Sequence, residues 1–131
     1  MTTRVFTSAI VLHKTKFLIL RRTEHADFGK NLWDVAGGHF EGRETAEKNI
    51  LREAREETGL KVRIAKAGKS YEVRYKKERW IVIPFLLEAP HNRVKIKPDE
   101  HSECKWIFPR EAKNYDCMPD IEKDLKLFKL I

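Results

Sequence analysis

The sequence predicts an α+β fold, with many strands, one central helix and one terminal helix. Three observations carry this. Apolar, β-branched runs recur along the chain with short polar breaks between them, which is strand patterning. Helical spacing shows in only two places, near residues 45–58 and 119–131. And 131 residues support one hydrophobic core rather than two. No repeat, low-complexity stretch or linker interrupts the chain, so residues 1–131 are expected to form a single domain.

Taken in order, residues 4–13 (RVFTSAIVLH) read as a strand, 13–16 as a turn and 16–22 (KFLILRR) as its hairpin partner. Residues 23–31 are a polar loop. Residues 32–38 (LWDVAGG) form a short strand running into a glycine pair, and 39–44 a further loop. From Thr45 to Thr58 the apolar positions Ala46, Ile50, Leu51 and Ala54 make a helical stripe, and Gly59 stands where a left-handed glycine ends a helix. Residues 61–75 are extended and broken at Gly68. Residues 79–89 (RWIVIPFLLEA) are a strong strand that Pro84 should place at an edge or a bulge. Residues 93–96 (RVKI) read as another short strand. Residues 104–108 lead into a short helix opened by Pro109. Residues 119–131 form an amphipathic helix with Ile121, Leu125 and Phe128 on one side.

Composition narrows the partners. No apolar run nears the roughly 20 residues of a membrane span. The N-terminal stretch MTTRVFTSAIVLHKTKF lacks the cleavage site of a secretory signal, so a cytoplasmic protein is expected. Cys104 and Cys117 have no ligand spacing and read as reduced thiols near the core. The scattered histidines, His39 among them, contain no zinc-type pair. A net charge of +7 suits an anionic ligand such as a nucleotide. The charge is spread out, and RYKKER reads as a solvated hairpin, so nucleic acid is not an expected partner. Any one of Arg4, Arg21, Arg22 and Lys30 reads as solvated charge. Trp33, Phe40, Tyr71, Tyr75 and Trp80 read as packing residues, and which aromatic faces a nucleobase is not legible.

One stretch, LREAREETGL at residues 51–60, does not fit a basic protein. Glu53, Glu56 and Glu57 crowd the closing end of a helix, where the macrodipole disfavours each anion by about 0.3–1 kcal/mol. Glu53 also faces like charge three and four residues on. Nearby Arg and Lys, solvent, or a bound cation are the candidates to offset this. At roughly 100° per residue the three carboxylates fall beside the apolar stripe, at the rim of the helix–sheet contact. Hard oxygen ligands in such a cleft suit Mg²⁺ or Mn²⁺. The glycines Gly37 and Gly38 let backbone approach the same place.

From Gly38 the sequence reads Gly38, five residues, Glu44, seven residues, then Arg52-Glu53-Ala54-Arg55-Glu56-Glu57-Thr58-Gly59-Leu60. This resembles the Nudix box, G-x5-E-x7-R-E-U-x-E-E-x-G-U with U apolar, with every fixed position present over residues 38–60. Ala54 is a small choice for the first U. The resemblance implies a Nudix-type α/β/α sandwich with a mixed central sheet. It also implies metal-dependent hydrolysis of a nucleoside diphosphate linked to another group. Carried over position by position, Glu56 and Glu57 match metal ligands, and the Gly37 carbonyl a further ligand. Arg52 matches the arginine that orients the carboxylates. Glu53 matches a residue that is a ligand in some members and the general base in others. Gly38, Glu44 and Gly59 match structural positions of the box. Many members add an acid from a later loop; Glu100 is preferred to Glu103, because it lies further out on the loop.

Within the family the chain resembles the short MutT-like members, which implies a nucleoside triphosphate as substrate. ADP-ribose, dinucleoside polyphosphates and nucleotide sugars are the alternatives, as is a domain that senses a nucleotide without cleaving it. Degenerate members lose a box glutamate, and none is missing here. A monomer or a homodimer paired through an exposed strand edge is expected.

Overall fold

The computed structural model describes residues 2–131. Eight strands form one sheet: β1 (Thr2–His13), β2 (Lys16–Arg22), β3 (Trp33–Asp34), β4 (Ala36–His39), β5 (Arg63–Ala67), β6 (Tyr71–Tyr75), β7 (Glu78–Glu88) and β8 (His101–Ile107). Two α-helices, α1 (Ala46–Thr58) and α2 (Asp120–Leu127), pack with it, and a 3₁₀ helix spans Pro109–Asn114. β1 runs parallel to β7 over their whole length, while every other pairing is antiparallel, so the sheet is mixed.

The central strands read as continuous apolar runs because both faces are covered. Ile10, Phe17, Ile19, Val82 and Leu86 point into a core with Ile121 and Leu125 of α2 and with Phe128 just after it. Ala9, Val11, Leu18, Leu20 and Leu87 point the other way, onto Ile50 and Ala54 of α1. Each fully buried Leu, Ile or Phe among them contributes roughly 1.5–3 kcal/mol.

β1 changes neighbours along its length, and this makes room for a site. Its C-terminal end pairs with β2 at Leu12↔Phe17, while Phe6–Ala9 pair with β4. β2 splays away to pair with β3 and β8. Residues 116–118 are tied to β3, with Trp33 N–H donating to the Asp116 carbonyl at 2.8 Å and Met118 N–H to the Trp33 carbonyl at 2.8 Å. That contact brings the start of α2 beside Asp34.

Four readings are corrected. Residues 93–96 are not a strand: Val94 and Ile96 pack on the α1 side of the core while the Lys95 N–H donates to the Thr58 carbonyl, so the alternation reflects docking rather than pairing. β7 is interior, not an edge, and Pro84 sits where its second partner changes from β6 to β5. Its carbonyl accepts from Gly68 N–H at 2.8 Å, and its proline nitrogen faces the same gap, where no ladder bond is lost. Segment 32–38 divides into β3 and β4 at Val35. The terminal helix stops at Leu127, and Lys129 follows with positive φ.

Candidate active site

The loop before α1 and the helix itself are fixed locally. Thr45 is the N-cap, its hydroxyl accepting from Lys48 N–H at 3.1 Å. Gly59, at φ 72°, ends the helix with its N–H on the Arg55 carbonyl. The glycine pair is required by closeness. A Cβ on Gly37 would lie 2.2 Å from the Thr7 carbonyl oxygen, and one on Gly38 would lie 2.6 Å from Glu53 Cδ. The Glu53 carboxylate therefore packs directly on the backbone of β4.

Arg52 organises the outer carboxylates. Its Nη2 donates to Glu44 Oε1 at 2.6 Å, and its Nη1 reaches Glu53 and Glu56 at 3.3 Å. Hydrogen bonds from Arg52 hold the Glu44 carboxyl below its ordinary range. An arginine thus offsets Glu53 and Glu56, part of the crowding seen in the sequence. It does not offset Glu57. That side chain is 5% exposed, and no ion pair to it forms among the described residues. Burial pushes its carboxyl well above the usual range, and hydrogen bonding and charge from Glu53, then charge from Asp34 and Glu100, push the same way.

Glu53, Glu57 and Glu100 line one cavity of about 470 Å³ with Gly37 and Gly38. Glu56 does not line it; its side chain is about half exposed and lies against Arg52. Glu103 lies on β8, paired with Arg21 at 2.9 Å, outside the cavity. Arg52 and Glu44 border a separate shallow cleft behind the glycine loop. Among the described residues, no three His, Cys, Asp or Glu side chains already converge as a closed metal-binding set. The donor set nonetheless fits a hard divalent cation: carboxylate and carbonyl oxygens, one carboxyl buried without a counter-charge, and a glycine that a Cβ would clash with.

The rest of the cavity lining was not read from sequence. Phe6, Phe28, Trp80 and Val82 make an apolar wall, with Phe28 and Trp80 ring centroids 5.2 Å apart. Asp34 and Asp120 add carboxyls, both raised chiefly by burial, Asp120 also by Asp34. The Arg22 guanidinium stacks 4.3 Å from the Phe28 ring centre and reaches Asp34 at 3.3 Å. His101, 5% exposed, is pushed down to about 4 by burial and by Arg22, so it is neutral at pH 7. One signal was present in the sequence: Asp34 is a lone acid in an otherwise apolar segment. Of the aromatics named there, Trp80 lines the cavity, while Trp33, Phe40, Tyr71 and Tyr75 do not. Cys104 and Cys117 are free thiols, both half-buried, and burial raises each, Cys117 to about 11.

Comparison with known proteins agrees with this geometry. The family model described as NUDIX domain matches residues 2–127. The CTP pyrophosphohydrolase of Escherichia coli K12 is 27% identical over 112 residues, which is 86% of this chain and 81% of that protein. The MutT protein of Methanosarcina mazei Go1 superposes with a TM-score of 0.81 at 23% identity, covering 98% of this chain and 93% of that one. An Ap4A hydrolase of C. elegans, solved as a binary complex, superposes with a TM-score of 0.77 at 18% identity, covering 96% and 95%. At such identities these two structures speak to the fold alone. Among the described residues no helix is long and apolar enough to cross a membrane.

Proposed function

The chain belongs to the NUDIX family of hydrolases, and on that premise we propose that it is a divalent-metal-dependent nucleoside triphosphate pyrophosphohydrolase. Water attacks a phosphorus of the triphosphate, and the products are a nucleoside monophosphate and pyrophosphate. The observation that carries this reading is the mixed lining of one cavity. Glu53, Glu57, Glu100 and two glycines make one part of it, and aromatic rings with two further carboxyls make the other. A phosphate chain that brings its own cation suits the first, and a nucleobase the second.

Nudix hydrolases generally use divalent metal ions. The Gly37 carbonyl, Glu53, Glu57 and Glu100 line the cavity and would hold Mg²⁺ or Mn²⁺; Glu56, matched to a ligand by the Nudix box, would join them from the Arg52 side of the helix. When bound, the ion supplies Lewis-acid polarisation of the phosphoryl oxygens. Glu53, fixed by Arg52 and by contact with Gly38, is placed to accept the proton of the attacking water. Arg52 holds Glu53 and Glu56 in register and Glu44 holds Arg52, so the chain contributes mainly positioning. Phe28 and Trp80 offer ring faces to a base, and the half-buried Asp34 and Asp120 offer it polar edges.

CTP is the first substrate to test, because the E. coli relative is named for it. Turnover should be followed on nucleoside triphosphates, ADP-ribose, dinucleoside polyphosphates and nucleotide sugars, with products separated by chromatography. Cleavage of a triphosphate to monophosphate and pyrophosphate supports the reading. Cleavage restricted to ADP-ribose, dinucleoside polyphosphates or nucleotide sugars would keep the family chemistry and overturn the substrate. No cleavage together with tight nucleotide binding would make this a sensing domain.

A further inference from the structure

Asn49 occupies a buried face of α1, where helix residues are ordinarily apolar. It is 2% exposed, and both the oxygen and the nitrogen of its amide are hydrogen-bonded. Its Oδ1 accepts from Thr7 Oγ1 on β1 at 2.5 Å. Its Nδ2 donates to the His39 carbonyl, at the end of β4, at 3.4 Å, and to Glu44 Oε1 at 3.2 Å. Thr7 is itself in register with Gly38, and its hydroxyl lies 3.5 Å from the Gly38 carbonyl oxygen. Glu44 in turn grips Arg52, which reaches Glu53 and Glu56. One side chain therefore joins the glycine strand to the carboxylate cluster. Asn49 is not a fixed position of the box; it falls among the seven free residues between Glu44 and Arg52.

We infer that Asn49 is a positioning residue for the cation site: with Thr7 it sets the separation between the Gly37–Gly38 backbone and the Arg52-held glutamates. The chemistry requires an amide. A carboxylate at this place would face Glu44 and the His39 carbonyl, both acceptors. An isosteric leucine would leave the Thr7 hydroxyl, the His39 carbonyl and one Glu44 contact without their partner. A group whose only task was to fill the helix–sheet contact would be apolar, since an amide buried there needs every one of its bonds to offset desolvation. Neither Asn49 nor Thr7 is asked to touch substrate or to move a proton.

The inference rests on the proposed metal-dependent reading, and its test separates the two. Mn²⁺ binding to the whole protein, followed by electron paramagnetic resonance of the free ion, needs no substrate. The variants are Asn49→Leu, Asn49→Asp and the milder Thr7→Val, each checked for folding by circular dichroism and thermal melting. Groups that bond metal ligands directly matter by roughly 10–100-fold, and Asn49, which acts through Glu44 and Arg52, belongs at the low end of that range. Asn49→Leu and Asn49→Asp are expected to weaken Mn²⁺ about tenfold, and Thr7→Val by about threefold. In turnover assays the Mg²⁺ concentration for half-maximal rate should rise in parallel, with nucleotide KM at saturating Mg²⁺ changed less than twofold. A purely structural role would lower the melting temperature and leave Mn²⁺ affinity of the folded fraction unchanged. That result in Thr7→Val, or in either Asn49 variant that folds, overturns the inference. Failure of the wild-type protein to bind Mn²⁺ would instead overturn the functional reading on which it stands.

Discussion

The glutamate part of the cavity lining draws its side chains almost wholly from residues 37–57, one loop and one helix, with Glu100 added from the segment before β8. The aromatic part collects Phe6, Phe28, Asp34, Trp80 and Asp120 from five separated segments. The first is organised by local periodicity. A capped helix fixes which glutamates lie side by side, and a glycine that tolerates no Cβ fixes what they lie against. The second exists only after β2 has splayed from β1 and residues 116–118 have bonded to β3. A part that performs one chemistry can be fixed in a short span, whereas a part that selects a ligand is assembled from loops around it.

The largest effect should follow from breaking the glutamate part. Glu57→Gln and Glu56→Gln are each expected to lower kcat at least roughly 100-fold, because even outer partners of a metal site are worth about 10–100-fold. Circular dichroism should stay native. For Glu57→Gln the melting temperature without metal should hold or rise, since the amide removes a carboxyl that burial and its acidic neighbours disfavour as a charge.

The second effect sharpens the comparison through the α2 side. Asp124 is fully buried and accepts from Ser8 Oγ at 2.8 Å and from the Tyr71 hydroxyl. Burial raises its carboxyl to about 6 from 3.8. The folded state thus holds a proton that the unfolded chain releases, so the stabilisation is full below about pH 4 and fades as pH rises through about 6. His101 acts oppositely. Folded at about 4 against 6.5 unfolded, it costs stability as pH falls from 6.5 to 4. Asp124→Asn removes only the first contribution. Its stability relative to wild type, from urea denaturation at pH 4, 5, 6 and 7, should therefore improve by about 2–3 kcal/mol across the window.

A smaller effect separates recognition from chemistry. Asp120→Asn should change the relative kcat/KM among nucleobases by about tenfold, the scale of one polar contact in a binding pocket. The Mg²⁺ concentration for half-maximal rate should not move; parallel changes in both would merge the two parts into one. The smallest concerns the acid after β7. Glu103→Gln breaks an exposed pair with Arg21, worth less than about 1 kcal/mol, and should leave kcat unchanged. Glu100→Gln, on the cavity wall, should lower kcat about tenfold.

Legibility in the sequence follows the same division. The α1 boundaries, its capping glycine and the glutamate spacing were readable, because they depend on contacts a few residues apart. All eight strands overlap segments that read as strand or extended, β3 and β4 a single one, while the sandwich was implied by the resemblance to the Nudix family. Pro84 misled because a proline's cost depends on what faces its nitrogen, here a gap between two partner strands. Val94 and Ile96 misled because alternate burial against a helix looks like a strand. Asp124 was readable in principle: it shares the stripe of Ile121, Leu125 and Phe128. Arg22 and His101 carry no such local sign, since each gains its environment from a segment distant in the chain. Asn49 was hidden inside a motif whose fixed positions flank it.

The most direct test of the account is product analysis of the best substrate from the panel, incubated with wild type and with Glu57→Gln, in Mg²⁺ and in EDTA. The account predicts a nucleoside monophosphate and pyrophosphate from wild type in Mg²⁺, and neither product in the other three reactions above background. Turnover that persists in EDTA, or a Glu57→Gln rate equal to wild type, would contradict the assignment of the buried carboxyl to a cation.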